Sequence, residues 1–193
     1  MNLVIIDYGA GNIKSIQFAF QRLGVQAVLS NNIDEIMNAD KIIFPGVGEA
    51  SSAMKMLISS GLDRLIPTLK QPLLGICLGM QLMCSFSEEG NTEGLKIFNT
   101  TVKRFSGDLK IPQMGWNTIQ HLKSDLFKNI NENEFMYSVH SYYAEACEEA
   151  IARNHYGILY AAALQKENFY GVQFHPEKSG VEGEQILKNF LDL

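Results

Sequence analysis

Leu73-Leu74-Gly75-Ile76-Cys77-Leu78-Gly79-Met80-Gln81 is the stretch on which the fold turns. Leu73–Ile76 is a short apolar run of strand type, and the residues after Cys77 read as a helix carrying Gln81 and Leu82. A strand that passes into a helix across one cysteine between glycines has the form of a nucleophile elbow, with sulfur in place of oxygen. The glycines have a physical role, because a sharp strand-to-helix turn crowds backbone against backbone and leaves no room for a Cβ. The turn sets the thiol at the sheet edge and at a helix N-terminus, whose partial positive charge favours thiolate.

Similar units precede it. Leu3–Ile6 is an apolar run that enters the turn-rich Asp7-Tyr8-Gly9-Ala10-Gly11-Asn12, and Ile13, Ile16, Phe20 and Leu23 then share one helical face. Gly24 sits at a C-cap position. Val25, Ala27 and Leu29 alternate like a strand, and Lys41–Phe44 is another, ending in Pro45-Gly46-Val47-Gly48. A helical pattern through Met54, Leu57 and Ile58 stops near Gly61. Short apolar runs that alternate with helices predict a parallel, buried sheet. The second half is richer in strands: Thr101–Phe105, Thr118–Gln120, Phe135–His140, Gly157–Ala163 and Phe169–Phe174, with a last helix from about Glu182 to Leu191. The pattern predicts one α/β domain over residues 1–193, a mostly parallel open sheet flanked by helices. Ligands of such sheets sit at the carboxyl ends of the strands.

Composition narrows the function. Hydrophobic residues are 46% and charged residues 19%, a globular balance. The net charge of −5, with no basic block, argues against nucleic acid or an anionic membrane as a partner. The apolar stretch Pro72–Met80 is far short of the roughly 18 residues of a membrane span. The N-terminus has no basic region and does not read as a signal peptide. Cys77, Cys84 and Cys147 are an odd set with no CxxC pair, which disfavours a disulfide framework or a zinc site and fits a reduced cytoplasm. The chain has no P-loop, no dinucleotide fingerprint and no metal-ligand cluster, so no cofactor or metal is expected.

Tyr170-Gly171-Val172-Gln173-Phe174-His175-Pro176-Glu177 adds a base to the cysteine. His175 ends a strand-like run, and Glu177 lies two residues on, on the same side if the chain stays extended. A carboxylate beside an imidazole selects its tautomer and stabilises the imidazolium that forms on taking a thiol proton. Alone, such a histidine reads more readily as structural; with the elbow it reads as functional. Pro45-Gly46-Val47-Gly48 suits an oxyanion hole, because glycines on both sides of Val47 let a peptide N–H point into a pocket or flip. An ordinary strand-to-helix turn fits those four residues equally well. Together the three segments point to acyl transfer through a thioester. They leave the amide unnamed, and a cysteine peptidase or deglycase on a similar sheet shares the same parts.

Pro45-Gly46-Val47-Gly48, Gly75-Ile76-Cys77-Leu78-Gly79-Met80-Gln81 and His175-Pro176-Glu177 resemble, in order and spacing, the three signatures of class I glutamine amidotransferases. Asp7–Asn12, Met114-Gly115-Trp116-Asn117, Val139-His140-Ser141-Tyr142 and His175–Ser179 further resemble the glutaminase subunits of imidazole glycerol phosphate synthases. The resemblance covers nearly the whole chain and implies a flavodoxin-like sheet. It implies that Cys77 attacks the side-chain amide of glutamine, that His175 moves the proton and that Glu177 orients His175. The same resemblance implies that backbone of Val47 and Leu78 forms the oxyanion hole, that Gln81 and Glu89 hold the amino and carboxylate ends of glutamine, and that Gly48, Ser141 and Tyr142 line the pocket. It further implies that ammonia passes directly to a phosphate-binding cyclase subunit of TIM-barrel type, in a step of histidine biosynthesis. Asn12, Trp116 and Lys178 match positions near that subunit contact. Ala10, Gln113 and Glu49 depart from the usual pattern, at presumed interface or pocket-entry positions, so they bear on the partner more than on the chemistry. Relatives that feed sugar-amidinating enzymes fit the same triad. Cys84, seven residues after Cys77 on the expected helix, reads as core; Cys147, beside Glu148 and Glu149, reads as a surface thiol. Trp116 reads as interface over core.

Overall fold

The computed structural model describes residues 1–9 and 12–193. Ala10 and Gly11, in the turn expected after the first strand, lie outside the described residues. The strands are β1 (Leu3–Ile6), β2 (Ala27–Ser30), β3 (Lys41–Phe44), β4 (Leu73–Ile76), β5 (Cys84–Ser87), β6 (Thr92–Glu93), β7 (Phe98–Arg104), β8 (Gln113–Thr118), β9 (Phe135–His140), β10 (Tyr142–Ala144), β11 (Ala150–Tyr156), β12 (Ile158–Lys166) and β13 (Phe169–Val172). The helices are α1 (Ile13–Arg22), α2 (Ile33–Met37), α3 (Ala50–Ser60), α4 (Leu62–Leu65), α5 (Leu78–Met83) and α6 (Gly180–Asp192). A single turn of 3-10 helix at Pro176–Lys178 precedes α6.

The main sheet runs β2-β1-β3-β4-β13-β12-β10-β7-β5-β6, with β11 paired to β12. β2, β1, β3, β4 and β13 are parallel, while β12, β11 and β10 join antiparallel. β8 and β9 form a separate antiparallel ribbon. Every residue of β1, β3, β4 and β13 is buried, which is why these strands, apart from Lys41 at the start of β3, read as continuous runs rather than alternating ones. Val4, Ile6, Ile42 and Phe44 pack on one face with Ala53 and Leu57 of α3. Leu3, Ile5, Ile43 and Leu74 pack on the other with Ile16 and Phe20 of α1 and Ile186, Leu187 and Phe190 of α6. Each such side chain contributes about 1.5–3 kcal/mol by leaving water. The four buried parallel strands end together, so the segments that follow them share one edge.

The open sheet flanked by helices is as the sequence predicts. Several elements differ. The helix after Cys77 ends at Met83, and Cys84 begins β5, buried in the core rather than on the helix. Cys147 is half-buried beside Glu149, not a surface thiol. Leu29 and Ile58, which the periodicity turns inward, are exposed, because β2 is a sheet edge and Ile58 lies on the outer face of α3. The strand expected at Thr118–Gln120 is β8, five residues earlier at its start. Gly115 at φ +129° and the outward Met114 and Trp116 hide its strand character. Among the described residues no helix is long and apolar enough to cross a membrane.

Candidate active site

Cys77 takes a backbone conformation that few side chains tolerate, φ 53° and ψ −109°. Such a residue costs about 1–3 kcal/mol and persists only where its surroundings over-determine it. Here they do. The Cys77 N–H donates to the Val172 carbonyl at 2.8 Å, and its carbonyl accepts from the Gln81 N–H. A Cβ on Gly79 would lie 2.0 Å from the Phe44 carbonyl oxygen, and one on Gly75 would lie 2.9 Å from the Met80 nitrogen. The elbow therefore fits only with glycine on both sides, and it presses directly on the end of β3.

His175 follows β13, next to β4 in the sheet, so the register Val172↔Ile76 brings it beside Cys77. Its Nδ1 meets Glu177 Oε1 at 2.9 Å, which leaves Nε2 for the thiol. The His175 N–H donates to the Tyr137 carbonyl, and the Ser179 hydroxyl donates to the His175 carbonyl at 2.6 Å. The ring is buried, and burial alone lowers the affinity of an imidazole for a proton. The thiol of Cys77 and the carboxylate of Glu177 outweigh that and raise the His175 pKa. Glu177 Oε2 is buried without a hydrogen-bond partner among the described residues, so His175 is the group that compensates its charge.

A cavity of about 280 Å³ opens onto the sulfur. That is at the small end of the roughly 300–1,000 Å³ of small-molecule sites and suits a single amino acid. Its walls bring together Val47, Gly48, Leu78, Gln81, Glu89, Ser141 and Tyr142, the residues that the family resemblance assigns to the oxyanion hole and to glutamine. A wider groove of about 520 Å³ runs along Gln17, Phe18, Gln21 and Gly24–Ala27, but no titratable or nucleophilic side chain lines it. Leu78 is the first residue of α5, where backbone N–H groups have no partner within the helix. Gly48 holds φ +99° with open space around it, and Val47 is 41% exposed. Gly46 is different: a Cβ there would lie 2.5 Å from the Gly79 nitrogen, so its glycine serves close packing, not mobility.

Gln81 Nε2 donates to the Tyr142 carbonyl at 3.0 Å and to Gln173 Oε1 at 2.8 Å. With both N–H groups engaged, Oε1 remains as an acceptor suited to an ammonium group. Glu89 Oε2 accepts from the Ala50 N–H at 2.9 Å, and burial and the nearby Glu49 raise its pKa against that bond.

Reading the sequence missed three residues here. Gln173 Nε2 donates to Cys77 Sγ at 3.7 Å; its place two residues before His175, one strand pitch away, was the available signal. Pro112 joins the cavity wall. His140 lies in the same wall, and its Nδ1 meets the Tyr142 carbonyl at 2.7 Å while Tyr160 approaches Nε2 at 3.4 Å and donates to Gln113 Oε1 at 2.8 Å. Burial lowers the His140 pKa to about 4, against the Tyr142 bond and aided by His175. The folded protein thus keeps His140 neutral where the unfolded chain, near 6.5, binds a proton. Stability is then lost as pH falls from about 6.5 toward 4, by a few kcal/mol in all. Denaturant titrations at pH 7 and pH 5 should show a smaller acid loss in His140→Gln than in the parent; equal losses would remove this assignment.

The three residues expected at a subunit contact lie outside the cavity wall. The Lys178 ammonium sits 5.9 Å from the Tyr137 ring centroid, and Trp116, 55% exposed, meets the same ring edge-on at 6.0 Å. Asn12 precedes α1 and accepts from the Ser15 hydroxyl at 2.9 Å. Tyr137 carries the carbonyl that receives the His175 N–H, so Lys178 and Trp116 stand one residue from the base.

A profile of the family described as "Glutamine amidotransferase class-I" matches residues 4–193. A Bacteroides fragilis protein described as "Imidazole glycerol phosphate synthase subunit HisH" is 56% identical over the full length of both chains. One of the same description from Haemophilus influenzae is 47% identical over all of this chain and 98% of its own. Two solved structures share the fold at low identity. A putative GMP synthase subunit from Thermoplasma acidophilum has a TM-score of 0.77 at 18% identity and covers 100% of this chain and 92% of its own. A glutamine amidotransferase from Thermotoga maritima has a TM-score of 0.67 at 15% identity and covers 100% and 83%. The elbow at Cys77, the His175–Glu177 pair and the match from residue 4 to the last residue agree, and the chain belongs to the class-I glutamine amidotransferase family.

Proposed function

We propose that this chain is the glutaminase subunit of an imidazole glycerol phosphate synthase. It releases ammonia from glutamine and hands it to a cyclase subunit in histidine biosynthesis. The observation that carries the chemistry is the strained, buried Cys77 in one cavity with His175, whose Nδ1 is held by Glu177 at 2.9 Å. The full-length identity to relatives of that description supports the pathway. The TIM-barrel form of the partner rests on the motif resemblance.

Cys77 Sγ attacks the side-chain carbonyl carbon of glutamine, and His175 takes the thiol proton. Charge gathers on the amide oxygen, which accepts from the backbone N–H groups of Leu78 and, once its peptide has turned inward, Val47. His175 then returns the proton to nitrogen, the C–N bond breaks, and ammonia leaves a γ-glutamyl thioester on Cys77. Water, activated by His175, hydrolyses the thioester to glutamate. A carboxylate repels a carboxylate, so Glu89 does not take the carboxylate end that the resemblance gave it: Gln81 Oε1 and the Glu89 carboxylate accept from the α-ammonium, and the backbone at Ser141 and Tyr142 takes the carboxylate. The test is ammonia release from glutamine by the chain mixed with its cyclase, with glutamate formed in equal amount. Hydrolysis of peptides or of glycated amines instead would transfer the site to the peptidase or deglycase reading.

Ammonia must leave this cavity without reaching bulk water, where it is protonated and lost as a nucleophile. The partner therefore seals against the rim, and the Lys178–Tyr137–Trp116 cluster is the candidate seal. Lys178→Ala should leave the fold intact and raise the glutamine hydrolysed per product above one. A solvated lysine would contribute only about 0–1 kcal/mol. A ratio that stays at one, with unchanged partner affinity in both Lys178→Ala and Trp116→Ala, places the docking face elsewhere.

A further inference from the structure

Tyr8 is the second residue after β1, and β1 lies beside β3 in the sheet, so Tyr8 stands over the start of the Pro45–Gly48 segment. Its ring packs on Phe44 with centroids 5.5 Å apart, and its hydroxyl donates to the Pro45 carbonyl at 2.8 Å in a buried setting. Burial first, and then the nearness of Cys77, raise the phenol pKa, so the hydroxyl remains a proton donor across the working range. The bond has a directional consequence. Carbonyl and N–H of one peptide point opposite ways, so holding the Pro45 oxygen also fixes the Gly46 N–H. Gly46 is wedged against Gly79, with no space for a Cβ. Freedom begins only at Val47, which is exposed, and at Gly48, which is open and at positive φ.

We propose that Tyr8 is a positioning residue for the oxyanion hole: its hydroxyl pins the Pro45–Gly46 peptide so that only the peptides flanking Val47 turn. This rests on the glutaminase reading of Cys77 and adds the anchor that makes the turn of Val47 reproducible. Without the anchor, the preceding peptide shares the motion and the Val47 N–H meets the developing oxyanion in fewer molecules. Misplacement of a donor is costly because the transition state is stabilised only in the aligned geometry.

The experiment uses Tyr8→Phe in complex with the cyclase, normalised to the fraction of Cys77 alkylated by iodoacetamide. Phe44→Leu, which removes the ring contact but keeps the hydroxyl bond, controls for packing. The expected result for Tyr8→Phe is a fall in kcat for glutamine of about tenfold, below the roughly 10²–10³ that loss of a donor itself costs. KM should stay within about twofold, since the bond acts in the transition state. Glutamate γ-semialdehyde, whose hemithioacetal with Cys77 places an oxygen in the hole, should bind about tenfold more weakly to Tyr8→Phe, in step with kcat. An unchanged kcat, an unchanged affinity for the aldehyde, or an equal fall of kcat in Phe44→Leu overturns the proposal. Cys77→Ala separates the two levels: if it still hydrolyses glutamine, the site reading fails; if it is inert while Tyr8→Phe matches the parent, only the role of Tyr8 fails.

Discussion

Cys77→Ala is expected to lose glutamine-dependent activity by at least about 10⁴-fold, because attack, proton transfer and thioester hydrolysis all act through that sulfur and fail together. The same variant, paired with its cyclase and supplied with ammonium salt, should form product at close to the normal rate, since the second reaction takes place on the partner. Cys84→Ala and Cys147→Ala should change glutamine-dependent kcat by less than about twofold. Cys84 is sealed in the core with its thiol pKa raised by burial, and Cys147 lies beside the acidic Glu149, with burial again raising its pKa. Neither has a base. Assays with glutamine and with ammonium side by side read the result. Equal loss of both activities in Cys77→Ala would end the division of labour between subunits.

The second large effect is expected without any mutation. Glutamine hydrolysis by the isolated chain should rise by at least about 10²-fold when the cyclase and its own ligand are added, the size of one well-placed oxyanion donor. The physical basis is the contrast within Pro45-Gly46-Val47-Gly48. Its first half is clamped by Tyr8 and Gly79, and its second half is open at Gly48. A segment fixed at one end and loose at the other can hold the Val47 N–H out of line until a partner presses on it. Uncoupled hydrolysis wastes glutamine, so such an arrangement suits a subunit that serves another active site. Steady-state glutamate formation with and without loaded partner measures the factor. A free chain as fast as the loaded complex would show that the segment is already aligned.

Much of this was legible in the residues because the deciding features are local. A strand buried on both faces is apolar along nearly its whole length, so Leu3–Ile6, residues 42–44 of β3 and Leu73–Ile76 stand out. Glycines at an elbow are required by backbone contact, so Gly75 and Gly79 mark Cys77. What stayed hidden depends on distant partners. β8 reads poorly because it belongs to a two-stranded ribbon with an open face, where Gly115 and Asn117 are tolerated. β10 and β11 lack an alternating signal, since their pairing with β12 decides them rather than propensity. Gln173 gains its role through a hydrogen bond to Gln81, 92 positions away, and His140 is enclosed by Tyr160, 20 positions on, contacts that neither local segment announces beyond the spacing of Gln173 from His175. Tyr8 was visible only as part of a turn, because its partner, Pro45, is a neighbour through the sheet.

On the proposed function, glutamine is opened by Cys77 alone. Incubation of the chain, with its cyclase present, with a glutamine-shaped diazo-ketone, followed by mass spectrometry of the digested protein, tests this most directly. One adduct is expected, on the peptide carrying Cys77, with Cys84 and Cys147 unmodified and protection by excess glutamine. An adduct on another cysteine, or full loss of glutamine-dependent activity with Cys77 unlabelled, would contradict it.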